Sequence, residues 1–107
     1  MAYRRACSLD DLWEGEMAVL PVDGQDVLLV HAEGGIVRAL DVHCPHQEVP
    51  LIDGLLEGKV LTCSAHLWQF DVETCEGVNP TGCRLKRFAL RIEDNDVLVD
   101  LERVESA

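Results

Sequence analysis

No stretch of this sequence is apolar for long enough to cross a membrane. The longest strongly apolar run is Val27-Leu28-Leu29-Val30, against the roughly 20 residues a spanning helix needs. Basic residues are scarce too: 9 lysines and arginines face 20 aspartates and glutamates, for a formal charge of −11. Such a field repels nucleic acid and anionic membrane surfaces and favours partners with basic patches. Plain solubility accounts for the same balance about as well. Internal repeats, low-complexity tracts and Pro/Ser-rich linkers are missing, so the 107 residues read as one domain spanning 1–107. Arg4-Arg5 is followed by Cys7-Ser8-Leu9-Asp10-Asp11, acidic where an export signal needs an apolar segment, and the expected location is the cytoplasm. No nucleophile–base pair, phosphate-cradling glycine loop or nucleotide fingerprint is present. No catalytic residue is therefore assigned, and the chain is not expected to turn over a substrate of its own.

What is present begins with five cysteines. An odd number cannot complete a disulfide framework within one chain, and in a cytoplasmic protein cysteines that cluster with histidines more often bind metal. The backbone signals are those of short strands. Ser8 is a cap for a single turn over Leu9 to Trp13, with Asp10 and Asp11 near its positive end. Met17 to Leu20 is apolar and is expected to stop at Pro21. Asp23-Gly24 marks a turn, and Val27–His31 with Ile36–Leu40, joined through Gly34-Gly35, form a hairpin in which His31 ends its strand. Lys59–Thr62 and Leu67–Val72 are strand candidates on either side of Cys63–His66. Phe88–Ile92 and Val97–Val99 flank a turn over Glu93-Asp94-Asn95-Asp96. No helical period persists beyond about three turns, so the class is all-β. Two segments break the alternation: residues 43–58, with Pro50, Gly54 and Gly58, and residues 73–83. Long irregular loops in a small β domain usually carry function.

The first irregular segment contains Cys44-Pro45-His46, and the turn after Thr62 contains Cys63-Ser64-Ala65-His66. Each supplies one thiolate and one imidazole, and the 16 residues between His46 and Cys63 can hold a hairpin that brings both tips together. A binuclear iron–sulfur cluster with two thiolates on one iron and two imidazoles on the other needs this donor set. Two ferric ions, two sulfides and two thiolates sum to zero charge, whereas four thiolates would give −2. An added electron thus enters a neutral centre, which raises the reduction potential. The ligand imidazoles also titrate, coupling reduction to proton affinity. A structural Cys₂His₂ zinc site is the rival, but zinc sites favour Cys-x2–4-Cys and His-x3–5-His pairs, which this spacing does not match. A zinc-stabilised interaction module therefore stands as a distant alternative.

Cys44-Pro45-His46 with Cys63-x-x-His66 resembles the signature of Rieske [2Fe–2S] proteins. Cys7-Ser8-Leu9-Asp10-Asp11-Leu12-Trp13-x-Gly15-Glu16-Met17, Cys44-Pro45-His46-Gln47-Glu48, Ala65-His66-Leu67-Trp68 and Gly77-x-Asn79-Pro80 are similar to the Rieske ferredoxins of toluene-type multicomponent monooxygenases. The resemblance implies stacked antiparallel sheets with a small cluster-binding part. Its two ligand loops fall at about 43–48 and 63–68. A covering loop at about 77–83 would include Gly77-Val78-Asn79-Pro80. It implies one [2Fe–2S] cluster held by Cys44, His46, Cys63 and His66. It also implies one-electron transfer from an NADH-dependent flavin and iron–sulfur reductase to a di-iron hydroxylase that oxidises an aromatic or alkene substrate. The ferredoxin of a ring-hydroxylating dioxygenase is the alternative. Respiratory Rieske proteins carry an extra cysteine in each ligand loop; Val49 and Ala65 stand there, so no such bridge forms. Their cluster-directed serine and tyrosine hydroxyls are replaced here by Trp68 and Phe70. Losing donors that stabilise the reduced cluster lowers the potential, toward the low end of the Rieske range at around −150 mV.

The ligand histidines of such a cluster are expected at the surface, which makes the patch around His46 and His66, with Gln47 and Glu48, the expected docking site. Trp68 either shields the cluster from water or packs in the β core. His43, adjacent to Cys44 in an extended segment, points the opposite way and is not expected to be a ligand. Cys7, Cys75 and Cys83 carry no assigned role and are expected as thiols.

Overall fold

A computed structural model describes residues 3–43, 50–64, 67–79 and 83–104, with residues 103 and 104 described for the backbone only. Ten strands are described: β1 (Arg4–Ser8), β2 (Met17–Val22), β3 (Gln25–Ala32), β4 (Ile36–Leu40), β5 (Leu55–Glu57), β6 (Val60–Thr62), β7 (Gln69–Asp71), β8 (Glu76–Asn79), β9 (Arg87–Glu93) and β10 (Asp96–Val104). They form two antiparallel sheets, one of six strands in the order β1-β10-β9-β4-β3-β2 and one of four in the order β5-β6-β7-β8. The all-β expectation of stacked antiparallel sheets is met.

The apolar run Val27–Val30 explains how the sheets stack. Successive side chains of a strand point to opposite faces, yet all four are fully buried. Leu28 and Val30 join Leu40, Leu51, Leu61, Cys63, Phe70 and Leu85 in one core. That core lies between the large sheet and the small one. Val27 and Leu29 face a second core with Leu12, Val22, Ala39, Phe88, Val97 and Val99. The two edges of the large sheet, β1 and β2, approach each other, so the sheet curls around this second core. Burying one side chain such as Phe70 on this scale stabilises by about 1.5–3 kcal/mol.

Turn chemistry sets the register. Val22 pairs with Gln25, leaving Asp23 and Gly24 at φ 51° and 84°, the positive pair that a two-residue hairpin turn requires. Asp94 and Asn95, at φ 48° and 74°, make the β9–β10 turn in the same way. Strand β9 therefore runs through Glu93 and β10 begins at Asp96, so the turn is two residues long where the sequence suggested four. The cap at Ser8 is formed as expected: its Oγ accepts the Asp10 N–H at 3.1 Å over a 3-10 turn of Leu9–Asp11.

Several expectations are corrected. Strand β2 does not stop at Pro21 but pairs through it, Pro21 opposite Asp26. It can do so because β2 is an edge strand, where a missing N–H can face outward. His31 lies inside β3, and its Nδ1 is 2.8 Å from the Leu12 carbonyl oxygen, tying the 3-10 turn to the sheet. Strand β7 begins at Gln69, not Leu67. β1, β5 and β8 had no clear sequence signal, being short or lying inside segments read as irregular.

Candidate metal centre

The small sheet places the loops. Across it, Leu55 pairs with Thr62, Thr62 with Gln69, and Gln69 with Asn79. This row is the start of β5, the end of β6, the start of β7 and the end of β8. The chain enters β5 from the 44–54 segment, passes from β6 to β7 through 63–68, and leaves β8 toward 80–82. All three segments that the sequence marked as functional thus join one end of one four-stranded sheet.

Each is closed at its base. Beyond β4, the Asp41 N–H donates to the Lys86 carbonyl at 2.9 Å, and Asp41 Oδ1 accepts the His43 N–H at 3.0 Å. His43 pairs with Pro50, and the Leu51 N–H donates to the Val42 carbonyl at 2.9 Å, so the chain leaves after His43 and returns at Pro50 at the same place. At the second base the Cys63 N–H donates to the Trp68 carbonyl at 2.7 Å. At the third, Glu76 pairs with Arg84, the Gly77 N–H donates to the Cys83 carbonyl at 2.7 Å, and the Leu85 N–H to the Cys75 carbonyl at 2.8 Å.

Of the four expected ligands, Cys63 is described. It carries a free thiol, fully buried at the root of its loop in the core with Leu51, Leu61 and Phe70. Cys44, His46 and His66 lie outside the described residues, as do Gln47, Glu48 and Pro80. Residues 77–79 of the expected covering loop form the end of β8. Trp68 is half-buried against the core between the sheets. Phe70, one of the two residues standing where respiratory relatives place a hydroxyl, is fully buried and apolar. A buried thiol at the base of one loop, with a second Cys-x-His segment closed against the same sheet end, fits a cluster that two loops grip.

Other residues at this end were not visible from the sequence. Leu67, directly after His66, has φ 55° and is 69% exposed. A leucine in left-handed backbone and pointing at solvent is strained and gains nothing from burial. Cys75, at φ 63° in the β7–β8 turn, is buried, with its Sγ 3.6 Å from the Val72 carbonyl oxygen. Burial pushes its thiol pKa up, against the opposing influence of the Arg87 and Arg38 guanidinium groups. The ladder sets Cys75 opposite Leu85 and Cys83 opposite Gly77. Cys7 is buried in the other core, and its thiol pKa is likewise pushed up, first by burial and then by Asp11. Among the described residues no helix is long and apolar enough to cross a membrane.

Two loops that close on one sheet end, each carrying one cysteine and one histidine in the sequence, are the frame that an iron–sulfur protein of the electron-carrying kind needs. The chain matches the Rieske [2Fe–2S] domain over residues 3–89 and belongs to that family. One Rieske cluster is the cofactor that membership brings, and the zinc reading is thereby set aside. The chain is 48% identical to the ferredoxin component of the alkene monooxygenase system of Xanthobacter autotrophicus, over 94% of its own length and 82% of the relative's. It is 37% identical to the biphenyl dioxygenase ferredoxin subunit of a Pseudomonas species, over 96% and 95%. In three dimensions it superposes on the ferredoxin of carbazole 1,9a-dioxygenase from Nocardioides aromaticivorans with a TM-score of 0.79, at 26% identity over 92% of this chain and 97% of that one. It is a Rieske ferredoxin, an electron carrier rather than an enzyme with its own substrate.

Proposed function

We propose that Cys44 and Cys63 hold one iron and His46 and His66 the other. On this reading the chain carries single electrons from an NADH-dependent flavin and iron–sulfur reductase to the di-iron hydroxylase of a multicomponent aromatic or alkene monooxygenase. The observation that carries the ligand assignment is the convergence of both Cys-x-His and Cys-x2-His loops on the end of the small sheet where Cys63 is buried. The 48% identity to an alkene monooxygenase ferredoxin supports a di-iron acceptor. The cluster supplies a one-electron couple; besides holding it, the chain has two tasks, to keep water from the thiolate side and to present the imidazole side.

Apolar packing around Cys63 serves the first of these tasks. Leu51, Leu61 and Phe70 surround the thiolate root with low-dielectric material, which disfavours added charge and resists ligand exchange with water. Exposed Leu67 beside His66 serves the second, offering an apolar contact next to the expected electron exit. The net charge of −11 favours acceptor and donor surfaces with basic rims.

A second reading, delivery to the terminal oxygenase of a ring-hydroxylating dioxygenase, is favoured by the 37% identity to a biphenyl dioxygenase ferredoxin. Stopped-flow oxidation of the reduced protein separates them. Rapid electron transfer to a di-iron hydroxylase, and slow transfer to a Rieske oxygenase, supports the first; the reverse ranking replaces it with the second. His66→Ala tests the ligand assignment itself. Iron content and the red-brown absorbance should fall at least about tenfold, and an H66A protein with a normal redox-active cluster refutes it.

A further inference from the structure

Gly54 lies where the segment after the first ligand loop passes the base of the second. It follows the 3-10 turn Leu51–Asp53, and its own N–H closes that turn on the Leu51 carbonyl at 2.9 Å. Its backbone, at φ −84° and ψ −166°, is one any residue adopts, so conformational freedom is not why glycine stands here. Space is. A Cβ at this position would overlap the Thr62 carbonyl oxygen and would also meet the Thr62 carbonyl carbon at 3.2 Å and the Leu51 carbonyl oxygen at 3.1 Å. All three obstacles are backbone atoms, which cannot swing aside as a side-chain tip can. The other glycines whose surroundings are described, 15, 24, 34, 35 and 58, meet no such obstacle and stand at positive φ instead. Gly54 alone among these is selected by close approach.

Thr62 immediately precedes Cys63, and its carbonyl belongs to the peptide group whose N–H is that of Cys63. That N–H closes the second loop by donating to Trp68. On the other side, Leu51 is fully buried in the core that contains Cys63 and returns the first loop to Val42. Gly54 is therefore a point where the base of one loop rests backbone-to-backbone on the base of the other.

We propose that Gly54 is a positioning residue that sets the separation of the two loops. The inference rests on the reading that these loops hold the cluster. Adding a single methyl group forces the Leu51–Gly54 turn and the Thr62–Cys63 peptide apart, because the overlapping atoms are backbone on both sides. Close-packed interiors transmit such a displacement rather than absorb it. The two irons are gripped by one donor pair from each loop, so a wider spacing strains every metal–ligand bond at once.

The test compares Gly54→Ala in the full chain with the unaltered protein and with Gly15→Ala, a glycine with open space around it. Measured on the purified holoproteins are the rate of iron release to a chelator, the EPR line shape of the reduced cluster and its midpoint potential. G54A should release iron at least tenfold faster and show a shifted EPR spectrum and potential, with far-UV circular dichroism unchanged; G15A should keep the parent's EPR spectrum and potential. A G54A protein matching the parent in release rate, line shape and potential overturns the proposal. Should G54A fail to accumulate, hydrogen exchange on the unaltered protein decides the matter. Removing the cluster should speed exchange at the Gly54 and Cys63 amides together, and a change at only one of them overturns the proposal. If the unaltered protein holds no iron–sulfur cluster, the cluster reading itself fails and takes this proposal with it, an outcome distinct from a G54A protein that matches a cluster-bearing parent.

Discussion

At the scale of single residues, Leu67 departs furthest from what stability alone would choose. Its φ of 55° costs an L-residue about 1 kcal/mol or more, and its side chain is 69% exposed. A residue kept in left-handed backbone and exposed beside a proposed ligand is better explained by contact with a partner than by folding. Leu67→Asn, which suits the left-handed region, is expected to stabilise the protein by about 0.5–1 kcal/mol. The same change should slow electron transfer to the proposed hydroxylase acceptor. Anaerobic urea unfolding and stopped-flow kinetics measure the two effects. An L67N protein transferring electrons at the parent rate removes Leu67 from the docking surface. The sequence reading placed Gln47 and Glu48 in that patch by proximity to His46, yet it passed over Leu67 because a positive φ leaves no mark in a side chain's identity.

At the scale of elements, the β6–β7 hairpin carries half of the proposed ligand set. It contributes Cys63 and His66 to that set, and the two positions, Trp68 and Phe70, where hydroxyl donors are missing. Neither Phe70, fully buried in the core between the sheets, nor Trp68, half-buried against it, carries a hydroxyl to offer the sulfurs. Without those donors the reduced, more negative cluster is less stabilised. A redox titration should therefore give a midpoint near the low end for centres of this type, around −150 mV, and a value above roughly +100 mV contradicts this account. The third element of the site, β8, shows how a segment of glycine and proline can mislead. Gly77, Pro80 and Gly82 suggested an irregular cover from 77 to 83. Residues 76–79 are strand, paired to β7 with a bulge between Gln69 and Phe70.

At the scale of the whole molecule, the two cores each bury one thiol outside the proposed ligand set. Cys7 sits in the core enclosed by the curled sheet and Cys75 in the core between the sheets. Burial is the foremost cause of both raised thiol pKa values. The folded protein holds these groups neutral at a pH where the unfolded chain ionises them. The stability this represents is complete below the ordinary thiol value near 9 and is lost as pH rises through the higher folded values. Urea midpoints should thus fall as pH rises above about 9, and Cys75→Ala should flatten that decline. An unaltered slope in C75A shows that the thiol ionises alike in folded and unfolded chains. The same protonated state leaves Cys75 slow toward alkylating reagents while folded, in line with its expected role as a thiol and not a bridge.

The order of residues alone determined the all-β class and most of the hairpins and offered the proposed donor set, because each rests on local chemistry. Strand period, turn residues such as Asp23-Gly24, and the close pairs Cys44-x-His46 and Cys63-x-x-His66 can each be read within a few positions. The placement of three loops at one end of the small sheet was decided only in three dimensions, since it depends on pairings such as Leu55–Thr62 and Gln69–Asn79. So were the passage of β2 through Pro21, which depends on β2 being an edge, and the requirement for glycine at position 54. That last demand comes from the carbonyl of Thr62, eight positions along the chain. A residue type records what a side chain can do, whereas the space left for it is set by backbone that folding brings alongside.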